Sequence, residues 1–264
     1  LATAAKKAGR IAAEGLIGMK VDGRKGVLVE VNAETDFVAK NDIFQSFVLN
    51  VTTGALEHDA HWDKVSQSPY PDGAGRNFAD QLVENIAKIG ENQTVRRMVG
   101  LCVDHGVVSG YLHNSVASGL GKIGVLIALE SEAGEDVLAP LGKQLAMHVA
   151  AASPIALNDG DLDEQTLERE REIAREKAIA SGKPDHVVEK IIEGAIRKFK
   201  EDVVLINQVS VIDGKTRISQ ILSDASALAK TPIAIKAFVR YQLGEGIERQ
   251  EADFATEVAA AAGL

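Results

Sequence analysis

The sequence has one cysteine, Cys102, among 264 residues, so it can form neither an intrachain disulfide nor a cysteine-built zinc site. That residue lies in the apolar run Val99-Gly100-Leu101-Cys102-Val103, where a packed, inert thiol is expected rather than a nucleophile. Aromatic residues are scarce at 4%. The cores must then be built from Val, Ile, Leu and Ala, which favours helices and small sheets over a large aromatic-rich sandwich. Positive charge is in deficit, with a formal net charge of −9. Affinity for nucleic acid comes largely from neutralising phosphates, so this balance points to a protein partner or a small ligand, despite a local basic hint at Lys6, Lys7 and Arg10. No apolar run approaches the ~20 residues of a membrane span. The start, Leu1-Ala2-Thr3-Ala4-Ala5-Lys6-Lys7, lacks the basic-then-apolar pattern of a secretory signal. It does not begin with Met and reads as mid-helix, so a preceding segment is expected.

Catalytic strings are missing too. There is no G-x-S-x-G, no G-x-x-x-x-G-K-[ST] and no H-E-x-x-H, and no acid–base pair is visible, so neither an enzyme nor a cofactor is expected. Gly119-Leu120-Gly121-Lys122-Ile123-Gly124 fits G-x-G-x-x-G, but that motif needs a helix N-terminus after it, and Val125-Leu126-Ile127-Ala128-Leu129-Glu130 reads as a strand. A turn is the better account. Asp159, Asp161, Asp163 and Glu170 fall at calcium-loop positions 1, 3, 5 and 12, yet Glu164 stands where the loop requires Gly. Acidic residues stabilising a helix start explain them better. His58, Asp59 and His61 lie in a loop with no further ligand, and His148 sits on an apolar helix as a core residue, so no metal site is expected.

What is present is an ordinary hydrophobic fraction of 45% in a length that suits one large domain or two to three small ones. Residues 3–17 have helical composition, with Gly18 as a stop. A turn at 21–26 and a strand at 26–32 suggest a hairpin. Asn41 or Asp42 can cap a helix carrying Phe44, Phe47, Val48 and Val51. Residues 58–77 read as a surface loop, 78–89 as a helix, and 94–104, 107–114 and 123–130 as an antiparallel meander. Residues 137–152 form a helix stopped by Ser153-Pro154. The charged stretch 162–180 and the stripe Val188, Ile191, Ile192, Ala195, Ile196 and Phe199, capped by Asp185 and joined by Ser181-Gly182-Lys183-Pro184, make an antiparallel helical hairpin. Residues 203–213 and 234–243 read as strands returning to the body, and 253–262 as a final helix. Glu34-Thr35-Asp36-Phe37 echoes Glu251-Ala252-Asp253-Phe254, which leaves a duplication open.

Thr35-Asp36-Phe37 is the remaining anomaly. A Phe in a polar strand-to-helix loop either folds into its own core, worth ~1.5–3 kcal/mol, or is presented to a partner's pocket. The pattern alone leaves both open.

Six segments follow one another along nearly the whole chain: Ala4-Ala5-Lys6-Lys7-Ala8-Gly9, Glu30-Val31-Asn32 with Thr35-Asp36-Phe37-Val38-Ala39-Lys40, Lys88-Ile89-Gly90-Glu91-Asn92, Met147-His148-Val149-Ala150-Ala151, Ser181-Gly182-Lys183-Pro184 and Gly244-Glu245-Gly246-Ile247-Glu248. As an ordered set they resemble the elongation factor Ts family. The resemblance implies a guanine nucleotide exchange factor for elongation factor Tu, promoting GDP release during translation elongation. It implies that Asp36 and Phe37 act as a wedge near the partner's magnesium and phosphate site, with Thr35 and Val38 beside them. His113, in Ser109-Gly110-Tyr111-Leu112-His113, would touch the same partner domain, and Lys7, Ile89 and Gly90 match further contact positions. The runner-up is a ribosome- or RNA-associated binding protein.

The implied fold is α+β, with antiparallel sheets and packed helices in two subdomains and an inserted antiparallel helical hairpin, a coiled-coil protrusion. Its expected divisions are a linker remnant (1–10), a core N-subdomain (11–105), a core C-subdomain in two parts (106–157 and 203–248), the hairpin (158–202) and a C-terminal helical module (249–264). The hairpin would reach other parts of the partner or mediate self-association. No nucleic acid or membrane partner is expected, and the implied place is the bacterial cytoplasm, with the mitochondrial or plastid matrix as alternative. Two departures stand out: the family's usual small N-terminal helical domain is absent from this sequence, and the 58–77 loop is longer than usual.

Overall fold

The structure, a computed structural model, describes residues 2–182 and 184–248. A short helix, α1 (Ala2–Lys7), precedes the hairpin of β1 (Glu14–Asp22) and β2 (Lys25–Ala33). A single 3-10 turn (Asp36–Lys40) leads into α2 (Asp42–Glu57), α3 (Trp62–Gln67), α4 (Phe78–Ile89) and β3 (Gln93–Cys102). The chain continues through β4 (Gly106–His113), β5 (Leu120–Gly121), β6 (Ile123–Glu130) and α5 (Glu135–Ala152). Next come α6 (Glu164–Ala180), α7 (Asp185–Val203), α8 (Ile218–Ala229) and β7 (Ala234–Gln242). The strands form two antiparallel sheets, ordered β3-β2-β1-β5 and β4-β6-β7, so the fold is α+β.

Neighbouring residues on the central strands serve opposite faces. Leu16, Val27, Val29 and Val31 pack under α2, α3 and α4, whereas Ile17 and Leu28 meet Val108, Leu126 and Ala128 of the second sheet. Val125, Ile127 and Leu129 in turn face α5 and α8. The layers therefore run helices, sheet, sheet, helices. Strands covered on both faces read as unbroken apolar runs, which is why Val125-Leu126-Ile127-Ala128-Leu129 does not alternate.

The two sheets share one plan. Each has a hairpin, then helices, then a strand that pairs beside the hairpin's second strand: β1-β2-β3 and β4-β6-β7. Each first strand carries a glycine at positive φ, Gly15 (+123°) and Gly106 (+119°). Each second strand shows a register shift against its third, at Glu30/Val31 and at Ala128/Leu129. Each last helix is entered through the same loop: Tyr70 N–H donates to Arg76 C=O, and Ser210 N–H to Thr216 C=O, both at 2.8 Å. Glu251 to Phe254, the sequence echo of Glu34 to Phe37, lies outside the described residues. By the matching register shifts, the repeat in the structure sets the segment after β2 against the one after β6.

Glu30 locks the sheets together. Its side chain is fully buried and accepts from Arg96, Arg97, Asn32 and the backbone N–H of Gly244, which follows β7. Arg97 also lies over the Tyr241 ring at 4.1 Å. Burial pushes the Glu30 carboxyl up, but the Gly244 and Asn32 donors and Arg97 pull harder and leave it below its ordinary value.

Several expected elements came out differently. Residues 3–17 split into α1 and the start of β1, because Leu16 and Ile17 are wanted on opposite faces of a sheet, an arrangement with period two. The meander fails at its first connection, since β3 pairs with β2 and only β4 pairs with β6. Residues 203–213 are not a strand: Val204 and Leu205 are buried through a 3-10 turn (Leu205–Asn207), and the chain then enters the loop before α8. The 58–77 loop contains α3, and α8 was not foreseen. Asn41 caps α2 with its side chain, whereas Pro184, not Asp185, takes the cap position of α7. Cys102 is exposed at the end of β3 rather than packed. Gly124 is not in a turn; it lies within β6, where an added Cβ would come 2.7 Å from Ile17 and 2.8 Å from Leu28. The final helix (253–262) and the C-terminal module (249–264) lie outside the described residues, as does Lys183 of the hairpin turn.

At Gly106 an added Cβ would stand 2.0 Å from the Leu129 carbonyl oxygen, at a φ that L-residues rarely adopt. Gly106→Ala should cost about 3 kcal/mol. Gly124→Ala meets only side-chain ends and should cost about 1 kcal/mol. Urea midpoints should rank the two in that order.

Glu30→Gln should destabilise the chain by about 3 kcal/mol at neutral pH by breaking a buried ion pair. Because the native pKa is lowered, this contribution is full above the ordinary value of 4.5 and is lost as pH falls through the native one. The gap between parent and variant in urea melts should narrow below pH 4.5.

Candidate functional site

The segment after β2 cannot continue as a strand, because its next residues have other partners. Thr35 is extended (φ −121°, ψ 160°), and the 3-10 turn that follows buries Val38 and Ala39 against β1 and α2. A turn with about three residues per revolution cannot direct all of its side chains to one side. Asp36 and Phe37 are the outward ones, and Phe37 is 76% exposed. The far side is fixed by Asn41, whose Oδ1 accepts from Ile43 and Phe44 N–H, and by the Gln45 side chain donating to Ala39 C=O at 2.8 Å.

Two further segments converge on this loop. Gly90 closes α4 at φ +84°, a left-handed cap that glycine adopts readily, and its carbonyl accepts from the Lys7 ammonium. Glu91 accepts from Thr35 N–H at 2.9 Å and from the Thr35 hydroxyl at 2.7 Å. Glu34 accepts from Asn92 N–H at 2.6 Å and pairs with Arg10 at 3.3 Å, and the Asn92 side chain donates to Arg10 C=O. Lys7, Thr35, Ile89, Gly90 and the turn bearing Asp36 and Phe37 thus form one corner, with Ile89 packed onto the core beneath. Glu34, Glu91 and Arg10 were given no role at this corner by sequence. Their only signal was position: Glu34 and Arg10 stand next to quoted motifs and Glu91 within one.

His113 ends β4, exposed, with the Tyr111 hydroxyl 3.3 Å from its Nδ1. Its carbonyl accepts from Lys122 N–H, and the Lys122 ammonium reaches Gly15 C=O, opposite Asn32. One lysine, through its backbone N–H and its side chain, therefore ties His113 to the end of the hairpin from which residues 34–38 emerge.

The other singled-out groups have structural partners. His148 is buried; its Nε2 meets Gln208 at 2.9 Å and its Nδ1 accepts from Val211 N–H. Burial pulls its pKa down, against the Gln208 bond, so the neutral ring is favoured. Asp163 caps α6 through Gln165 and Thr166 N–H, and Asp159 bonds Lys200 and Asn207. A groove of about 530 Å³ runs along α6 and α7, lined by Arg171, Arg175, Lys200 and Arg217, each paired with a carboxylate. Among the described residues no group of three or more His, Cys, Asp or Glu could hold a metal ion, and no helix is long and apolar enough to cross a membrane.

The family model for elongation factor TS matches residues 34–245. The chain is 57% identical over 264 residues to elongation factor Ts of Zymomonas mobilis, an alignment covering all of this chain and 85% of that protein. It is 57% identical over 265 residues to that of Sphingopyxis alaskensis, with the same coverage. It is 52% identical over 260 residues to that of Rhodospirillum rubrum, covering 98% of this chain and 84% of the relative. The match opens on Glu34, in the corner described above, and closes on Glu245, which pairs with Arg97 and Arg240 beside the buried Glu30. The chain belongs to the elongation factor Ts family of translation elongation.

Proposed function

We propose that this chain speeds GDP release from elongation factor Tu, and that Asp36 and Phe37 are the wedge that does it. The observation that carries the reading is Phe37 itself, a large apolar side chain left 76% exposed on a turn whose neighbours are buried. Burying such a ring in a partner's pocket is worth ~1.5–3 kcal/mol. Asp36, exposed beside it, brings negative charge toward a site that holds magnesium and phosphate. Lys7, Ile89, Gly90, Thr35 and Val38 support the wedge from beneath, and His113 adds a second contact.

The energetics need no bond-making. A nucleotide held at nanomolar affinity is bound by roughly 12 kcal/mol. An exchange factor that weakens nucleotide binding is itself weakened by nucleotide to the same degree. The reaction is displacement by competing binding.

The RNA reading is less well supported. Lys7 is committed to Gly90 and Arg10, though exposed, to Glu34. The hairpin of α6 and α7, held by Ala174, Ala178, Val188 and Ile192, forms the 158–202 unit in this reading. The two sheets with their helices form the core halves, 11–105 and 106–157 with 203–248. The hairpin offers a further reach toward the partner or a second copy.

The test is release of fluorescent GDP from elongation factor Tu. Phe37→Ala should lower the maximal exchange rate at least ~10-fold by removing an interaction made at the displacement step. Its own stability should stay within ±0.5 kcal/mol, as for an exposed substitution. An unchanged maximal rate would show the wedge assignment to be wrong.

A further inference from the structure

The loop that carries Phe37 is held by bonds that cross to another loop in both directions. The β2–β3 ladder ends where Ala33 lies opposite Gln93. Beyond that pair, Glu34 accepts from Asn92 N–H, while Glu91 accepts from the N–H and hydroxyl of Thr35. Each loop gives the other one carboxylate and receives one. Carboxylates bound to N–H donors are short, directional, charge-assisted contacts. The clasp therefore continues the pairing of the two strands by side chains, past the point where backbone pairing stops.

Phe37 then sits between two fixed points. Thr35 is held by the clasp, and Val38 and Ala39 are held by burial and by Gln45. Arg10 adds a brace to Glu34 from outside. The donors of Thr35 are occupied within the chain and are not free for a partner.

We propose that Glu34 and Glu91 are positioning residues whose reciprocal clasp fixes Thr35 and so holds Phe37 ready for insertion. This rests on the reading of Phe37 as the wedge. With the clasp broken, the loop samples other conformations, and apparent affinity falls by the fraction of time the competent one is populated. The effect belongs in half-saturation more than in the maximal rate, the reverse of Phe37→Ala.

The experiment combines exchange kinetics with amide hydrogen exchange of the free chain. Glu91→Ala should raise the half-saturating concentration for GDP release about 10-fold, with a smaller change in maximal rate. Glu91→Gln, which keeps one acceptor, should fall between the variant and the parent. In a Phe37→Ala background, Glu91→Ala should add little, because the group it positions is gone. In the free chain, Glu91→Ala should speed amide exchange at residues 35–38 and leave the centres of β1 and β2 protected. Unchanged amide exchange at 35–38 overturns the clasp regardless of what Phe37 does. Faster amide exchange with unchanged half-saturation overturns its positioning role. A Phe37→Ala variant as active as the parent overturns the wedge itself, and the role proposed for the clasp with it.

Discussion

A buried glutamate is tolerable only if enough donors meet it, and the donors that meet Glu30 decide how the two halves of the molecule sit. Arg96 and Arg97 come from β3, Asn32 from its own strand, and Gly244 from the segment after β7. Taking an anion out of water costs several kcal/mol even after relaxation; the arginines of its own sheet neutralise the charge, and the segment after β7 completes the set with the Gly244 N–H. The apolar layer between the sheets is non-directional, and by itself would allow them to slide. The Glu30 cluster has direction, and it adds the register that Ile17, Leu28 and Leu126 do not specify. Asn32 then hands this constraint on: its side chain bonds both Glu30 and the Glu14 carbonyl, which fixes the end of the hairpin from which the Phe37 loop leaves.

The internal repeat sharpens what is special about that loop. Both halves have the same strand order, the same positive-φ glycine and the same register shift, yet their equivalent segments differ. After β6 the chain reads Ser131-Glu132-Ala133-Gly134 and turns directly into α5, with the Ser131 hydroxyl donating to Pro232 C=O and accepting from Ala133 N–H. No aromatic is presented there. The same plan therefore supports a closed connection in one half and an exposed Phe in the other. The function proposed here rests on a loop grafted onto a scaffold, not on the scaffold.

How much was legible in the sequence depended on how local each signal was. The helices 78–89 and 137–152 were legible because caps and apolar spacing are local. The β1–β2 turn was legible for the same reason. The split at residues 7–14 was not, because Ala-rich composition favours helix while the sheet that claims Leu16 and Ile17 is assembled from distant residues. Strand partners failed likewise: nothing near Cys102 or Gly106 says that β3 turns back to β2 while β4 crosses to the other sheet. Gly124 read as part of a flexible string, because close approach between sheets leaves no trace except a missing side chain. At the candidate site, motif resemblance picked out Asp36, Phe37, Lys7, Ile89 and Gly90, yet Glu34 beside one motif and Glu91 within another stood unassigned. Their partners lie more than fifty residues away, at sequence separations of 58 and 56.

Phe37 is where the two ways of reading met. Hydrophobicity alone would send it inward, and the chain does meet that demand, but with other residues. Val38 and Ala39 fill the space beneath the turn, and on a 3-10 turn adjacent positions cannot all face the same way. With Val38 and Ala39 on the inward side, Phe37 is out. The core's demand and the site's requirement are then satisfied by one geometric choice, made at Thr35, whose extended backbone sets the phase of the turn. That residue has no side-chain cap bond to its own turn; its hydroxyl goes to Glu91 instead. An N-cap threonine ordinarily satisfies the turn it starts. Here that satisfaction is exchanged for a tie to the neighbouring loop, and the orientation of the exposed ring becomes a property of tertiary structure rather than of the local sequence.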